Sequence, residues 1–199
     1  LTDNKLGLHF PDLRIPQGAK ILSAKLIVAA AQAGNSKVEM KIYAENTGDA
    51  NAFASVAKNI SNRPTLGGVA WDIDSSEGWA LDNYYESPDI TSLVQGVVDR
   101  SDWCGGNAAA LILEGTGRRE IATFEAGSDL APQLVVQYEN DFDNTDTGCT
   151  VDETSYQINT GTSDADESSS SGTVNTGTVS TRTGRSHWSG FNFSGIRIP

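Results

Sequence analysis

The chain runs to 199 residues with 26 acidic and 14 basic side chains, a formal net charge of −12. Such an excess repels phosphate backbones and anionic lipid surfaces while favouring solubility and divalent cations, so no nucleic acid is expected as a partner. The longest apolar stretch, Leu26–Ala31, is too short to span a bilayer, so no membrane insertion is expected; the length fits one core, or one domain with a tail, better than two domains.

Leu1 opens the chain without an initiator Met or a signal-peptide pattern, in what reads as the middle of a fold, and the expectation is a segment processed from something longer. From Leu6 to about Glu139 the pattern is of short strands joined by Gly, Pro and Asn turns. Ile21, Ser23 and Lys25 alternate with Leu22, Ala24 and Leu26, and Val38, Met40 and Ile42 alternate with Glu39, Lys41 and Tyr43, the period of half-buried antiparallel strands. AALILEG, EIATFEA and QLVVQYE continue the series, bounded by Gly115, Gly127 and Pro132. The exception is SPDITSLVQGVVDR. There Ser87 or Asp89 can cap a helix whose apolar face is Ile90, Leu93, Val94, Val97 and Val98, and the helix is expected to pack over the sandwich edge. Asn59 in NIS and Asn192 in NFS fit the N-glycosylation pattern.

Trp71 and Trp103 are expected in the core. In GWALDNYYE, Trp79, Tyr84 and Tyr85 are candidate platforms for a pyranose ring, against the alternative that they cover the helix. Cys104 and Cys149 both lie in Gly/Asp-rich loops. A disulfide between them would contribute about 4 kcal/mol on the chain-entropy model, and two free thiols are the alternative. Low Lys, abundant Thr, Asn, Gly and Asp and a bridge of this kind favour an extracellular or cell-surface location.

From Asn140 the composition changes. Residues 140–154 read as an acidic linker loop in which Asp141, Asp143 and Asp146 are solvated, and the Ser/Thr/Gly-rich residues 155–199 read as strands rather than disordered linker, because Thr and Val alternate. The end of the chain also repeats its beginning. GFNFSGIRIP at Gly190–Pro199 echoes GLHFPDLRIP at Gly7–Pro16, with Gly7, Phe10, Arg14, Ile15 and Pro16 retained at an offset of 183 positions (190 − 7). If that offset is a repeat unit, residues 155–199 are the leading strands of the next unit, and the domain of residues 1–139 lacks leading strands of its own. It must then borrow them from a preceding copy or a neighbouring subunit, since an open sheet edge invites pairing with another chain.

The segments GLHFPDLRIPQGAKILSAKLIV, NISNRPTLGGVAW, SPDITSLVQGVVDRSDWCGGNAAALILEGTGRR and APQLVVQYE resemble the jelly-roll, carbohydrate-binding-module-like β-sandwich domains found, often repeated, in large secreted bacterial proteins. The resemblance covers residues 7–139, and DADE before a Gly/Thr-rich strand is similar to the acidic start of such domains. It implies a non-catalytic accessory or surface module and names no ligand. Where Tyr-Asp would be expected this chain has Phe124-Glu125, and if that acid binds metal Glu125 can serve.

Asp164, Asp166 and Glu167 place three carboxylates within four residues, a density of hard oxygen ligands suited to Ca²⁺, with a solvated acidic turn as the alternative. A structural Ca²⁺ there would brace the junction between units. Neither HExxH nor GxSxG occurs, and GTGRR lacks the spacing and Lys of a phosphate loop, so no enzyme is expected. The expected protein is an all-β, antiparallel jelly-roll β-sandwich with one short helix, its tail strands shared with or donated to a neighbouring unit. Its expected role is a building block of an extracellular filament or giant adhesin, partnered by copies of itself and by glycans. A carbohydrate-binding module of a secreted hydrolase is the alternative.

Overall fold

The computed structural model describes residues 4–139, 151–157, 164–167, 171–174, 180–183 and 188–192, with side chains over 5–139 and 171–174. The strands are β1 (Asn4–Leu13), β2 (Lys20–Ala29), β3 (Val38–Glu45), β4 (Thr65–Ile73), β5 (Tyr84–Glu86), β6 (Asn107–Thr116), β7 (Arg119–Ala122), β8 (Gln133–Glu139), β9 (Val151–Gln157), β10 (Asp164–Glu167), β11 (Ser180–Thr183) and β12 (Trp188–Asn192). Among the described residues there is one α-helix, α1 (Thr91–Val98), between β5 and β6.

The protein is an all-β sandwich. One sheet runs β10-β12-β1-β6-β3-β4, the other β5-β2-β8-β9, and β7 pairs with β11 in a separate ribbon. Period-2 alternation supplies the core between the sheets: Leu6, Leu8 and Phe10 from β1 and Ile42 from β3 join Ala24, Leu26 and Val28 from β2 and Leu134 and Val136 from β8. Trp71 and Trp103 are buried in this core, as their size and apolar area favour, and the Trp103 indole N–H donates to the Ile15 carbonyl at 2.8 Å.

β6 is buried on both faces, which is why AALIL reads as a continuous apolar run. Leu111 and Leu113 enter the inter-sheet core, while Ala108, Ala110 and Ile112 lie on the outer face in a second cluster with Ala50, Phe53 and Ile60. The connection between β3 and β4 forms that outer cover. Arg63 holds it in place, donating to the carbonyls of Asn51 (2.7 Å), Ala52 (3.0 Å) and Asn59 (2.9 Å) and to Glu45 (2.7 Å), with its guanidinium 4.1 Å over the Phe53 ring. From β1, His9 Nε2 meets the Ala50 carbonyl at 2.6 Å.

The helix forms where the 3.6-residue period places it, and Ile90, Leu93, Val94, Val97 and Val98 are all buried. It replaces a strand along β2. Gln95 Oε1 accepts the Ile21 N–H (2.8 Å) and its amide donates to the Ala19 carbonyl (3.0 Å), while Thr91 Oγ1 accepts the Ala24 N–H (3.0 Å). Neither capping candidate is the N-cap residue, which is Ile90: Asp89, one position earlier, accepts the Thr91 N–H at 2.7 Å, and Ser87 accepts the Leu26 N–H at 2.9 Å and secures the β2 edge instead.

Three boundaries differ from expectation. EIATFEA is a strand only to Ala122; Phe124–Ala126 form a single 3-10 turn closed by Gly127 at φ 146°. Residues 151–154, expected in the acidic linker, are the first half of β9, which extends the second sheet by pairing from Gln133↔Gln157 to Glu139↔Val151. β4 was not expected as a strand, because Gly67 (φ 70°) and Gly68 interrupt its pattern at an irregularity in its pairing with β3.

Candidate assembly edge and neighbouring sites

β1 pairs on one side with β6, antiparallel from Asn4↔Gly115 to Leu13↔Asn107. Its other side is covered by the tail. β12 runs parallel to β1 with Gly7↔Gly190, Leu8↔Phe191 and His9↔Asn192 in register, so the two halves of the sequence echo lie side by side without a slip. β10 is antiparallel to both, and Asp166 pairs with Ser189 of β12 and with Leu6 of β1. Ser189 is the residue 183 positions after Leu6. One tail residue therefore addresses equivalent positions of two equivalent strands. β11 covers β7 through Ser180↔Ala122 to Thr183↔Arg119. Backbone hydrogen bonds exposed along β1 and β7 are satisfied by residues from beyond Gln157.

Three of the five retained residues of the echo have a packing reason in and just after β1. Phe10 and Ile15 have no exposed surface, and Gly7 has no room for a side chain: a Cβ there would sit 2.3 Å from Phe53 Cζ. Sequence reasoning saw the repetition but had no reason for the glycine; the Phe53 ring on the outer face supplies it.

The aromatic group behaves differently from a sugar platform. Trp79 is buried, stacked on Tyr85 with ring centroids 4.4 Å apart and planes at 9°, with Trp71 at 6.3 Å and the Arg119 guanidinium at 5.6 Å. Its face is covered by Tyr85, so Trp79 is corrected from candidate ligand contact to internal packing, while Tyr85 is partly buried and its hydroxyl accepts the Ala80 N–H at 2.7 Å. Tyr84 is half exposed and its hydroxyl donates to the Asp129 carbonyl at 2.9 Å. Arg119, which sequence reasoning missed, is buried beside Trp79 and donates to the carbonyls of Gly34 and Glu77, tying together the turns that carry Gly34 and Trp79. Nothing in GTGRR signals that one of two adjacent arginines turns inward.

Both carboxylate oxygens of Glu125 are buried, and neither has a hydrogen-bond partner among the described residues. The backbone of Asp164, Asp166 and Glu167 forms β10, beside β1 and β12 rather than in a turn. Among the described residues no group of three potential ligands is found. Cys104 is exposed, while Cys149, Asp141, Asp143 and Asp146 lie outside the described residues. Asn59 is half-buried: its Oδ1 accepts the Ala54 N–H at 3.0 Å, and the Ile60 of its sequon is fully buried. Asn192 has its backbone in register with His9.

No family model, curated protein or solved structure matches this chain. No helix among the described residues is long and apolar enough to cross a membrane.

Proposed function

We propose that the protein is a non-catalytic building block of an extracellular filament or giant adhesin, joined head to tail by β-strand pairing, with the tail supplying leading strands. The observation that carries this reading is the double pairing of Asp166 with Leu6 and Ser189, residues equivalent under the echo. A leading strand that fits its own β1-like partner and the β1 of the body in one register can serve either unit. Heterologous contacts of this kind, when they do not close, propagate into fibres. Such units resemble the repeated jelly-roll domains of secreted bacterial surface proteins.

Ca²⁺ belongs to the proposal as a brace. Glu125 would hold it from the body, and Asp164, Asp166 and Glu167 are the candidate ligands from the tail. The ion would supply charge neutralisation in a chain of net charge −12. Adding Ca²⁺ to chelator-treated protein is expected to raise the melting temperature, and Glu125→Gln to remove most of that rise; equal rises in both proteins count against Glu125 as a ligand.

Negative-stain imaging of the concentrated full chain tests the main reading. Regular filaments are expected, absent when residues 158–199 are removed. A monomer that stays monodisperse and is retained on polysaccharide favours the carbohydrate-binding alternative, and unaltered filaments after the truncation exclude assembly through the tail.

A further inference from the structure

His9 is a buried titratable side chain at the point where the body, its outer cover and the tail meet. The residue is 4% exposed, and alternation along β1 puts it on the outer face with Gly7, away from Leu6, Leu8 and Phe10 in the core. Three elements converge there. From the connection between β3 and β4, the Ala50 carbonyl accepts from His9 Nε2 at 2.6 Å, and the Phe53 ring stands edge-on, with centroids 6.3 Å apart and planes at 78°. From β6, Ala110 is the register partner of His9; from the tail, β12 lies alongside with Asn192 opposite. Val174, 5% exposed, completes the same outer cluster with Ala50, Phe53 and Ala110, in the recess over β6.

A ring that donates from Nε2 alone is neutral, and a second proton would create a cation among apolar neighbours, which burial disfavours. Charged groups on the elements packed around it are engaged elsewhere or exposed. Lys5 of β1 pairs with Glu114 of β6 at 3.1 Å, Arg63 pairs with Glu45 at 2.7 Å, and Asp49 accepts the Ala108 N–H at 2.9 Å, while Lys58 faces solvent. In the tail, residues 171–174 and β12 hold no titratable side chain, and β10, which pairs with β12 and reaches β1 at Leu6, carries Asp164, Asp166 and Glu167.

We propose that His9 is an acid-sensitive clasp, whose neutral ring lets the tail close over the outer face and whose second proton opens it. Hydrating the imidazolium requires that something above it lift. The connection is held by Arg63 through three carbonyls and Glu45, whereas Ser171 and Thr173 bond to one another within the tail turn, so the tail yields first. Linkage gives the sign: a histidine that binds its second proton more weakly when closed stabilises the closed form above the ordinary value of about 6.5, and that stability is lost as pH falls below it. The echo supplies the control residue, because Asn192 stands where β1 has His9, and asparagine keeps an N–H donor for the Ala50 carbonyl without titrating. The clasp acts within one chain and does not depend on filament formation.

Limited proteolysis of the full-length chain from about pH 7.5 to about pH 5 tests it. Cuts beyond Gln157 are counted by mass spectrometry and corrected for protease activity on an unfolded peptide. The wild type is expected to lose tail protection by about tenfold over this range, the size set by one proton taken up on opening, while His9→Asn keeps its protection. His187→Asn, at the other histidine of the chain, is expected to behave as the wild type. Wild-type protection that does not change with pH, a loss that is equal in His9→Asn, or a loss removed by His187→Asn instead overturns the clasp. If His9→Asn does not fold, His9→Gln takes its place with the same outcomes. In the wild type, an imidazole titration of His9 by nuclear magnetic resonance that runs to completion with the tail still protected overturns it as well.

Discussion

Single residues carry the fit between β1 and what lies over it. Gly7 is required by the Phe53 ring rather than by a backbone angle, so Gly7→Ala is expected to destabilise the protein by about 1–3 kcal/mol through overpacking, with much of the loss recovered in Gly7→Ala/Phe53→Leu by urea denaturation. Beside it, burial raises the Glu45 pKa above the usual glutamate value although Arg63 opposes the shift. An acid whose folded pKa lies above its unfolded pKa binds protons more readily when folded. Stability therefore falls as pH rises through the interval between those two values. Acidification from neutral pH towards about 4.3, the ordinary glutamate pKa, is expected to stabilise the wild type relative to Glu45→Gln; a constant difference between their denaturation midpoints would show that Glu45 is not the titrating group. At this scale the sequence made Phe10, Ile15, Trp71 and Trp103 legible because size and alternation point to burial. It left Trp79 open between a sugar platform and packing, because a large aromatic beside glycine in a polar segment looks the same whether its face meets a sugar or Tyr85.

Among elements, the helix was the easiest to read and the most informative once folded. Its five apolar residues follow from one period. The residues that make it act as an edge, Thr91 and Gln95, are polar positions on its flank whose partners at Ala19, Ile21 and Ala24 lie some seventy positions earlier. Gln95→Ala leaves the Ile21 N–H and the Ala19 carbonyl without these partners and is expected to cost about 1–3 kcal/mol, together with faster amide exchange at Ile21 by hydrogen-exchange mass spectrometry. Asp89→Ala removes the acceptor of the Thr91 N–H and is expected to cost about 1 kcal/mol, measured in the same denaturation assay. β4 stayed hidden in the sequence because two glycines break its alternation, and β7 ran too long because the turn at Phe124–Ala126 is made of residues that also suit a strand.

For the whole molecule the tail is decisive. β10 and β12 lie along β1, β11 along β7 and β9 along β8, so strands from beyond residue 150 complete both faces of the sandwich. Removing residues 158–199 uncovers the β1 and β7 edges and the recess around Phe53. The shortened chain is expected to melt lower and to associate in a concentration-dependent manner by analytical ultracentrifugation. A shortened chain that matches the full one in both respects would mean that the tail contributes nothing to the body.

Alternation, one helical period and an echo at constant offset sufficed to establish the all-β class, the single helix and the kinship of the two chain ends, because each is a local pattern written in residues close together or in plain repetition. Which strand covers which edge, why the echo keeps its glycine, which arginine turns inward and which tryptophan loses its face were settled only by the tertiary structure. All of these depend on pairs such as Leu6 with Asp166, Gly7 with Phe53 and Gly34 with Arg119, whose proximity is a property of the folded chain and of no stretch of sequence taken by itself.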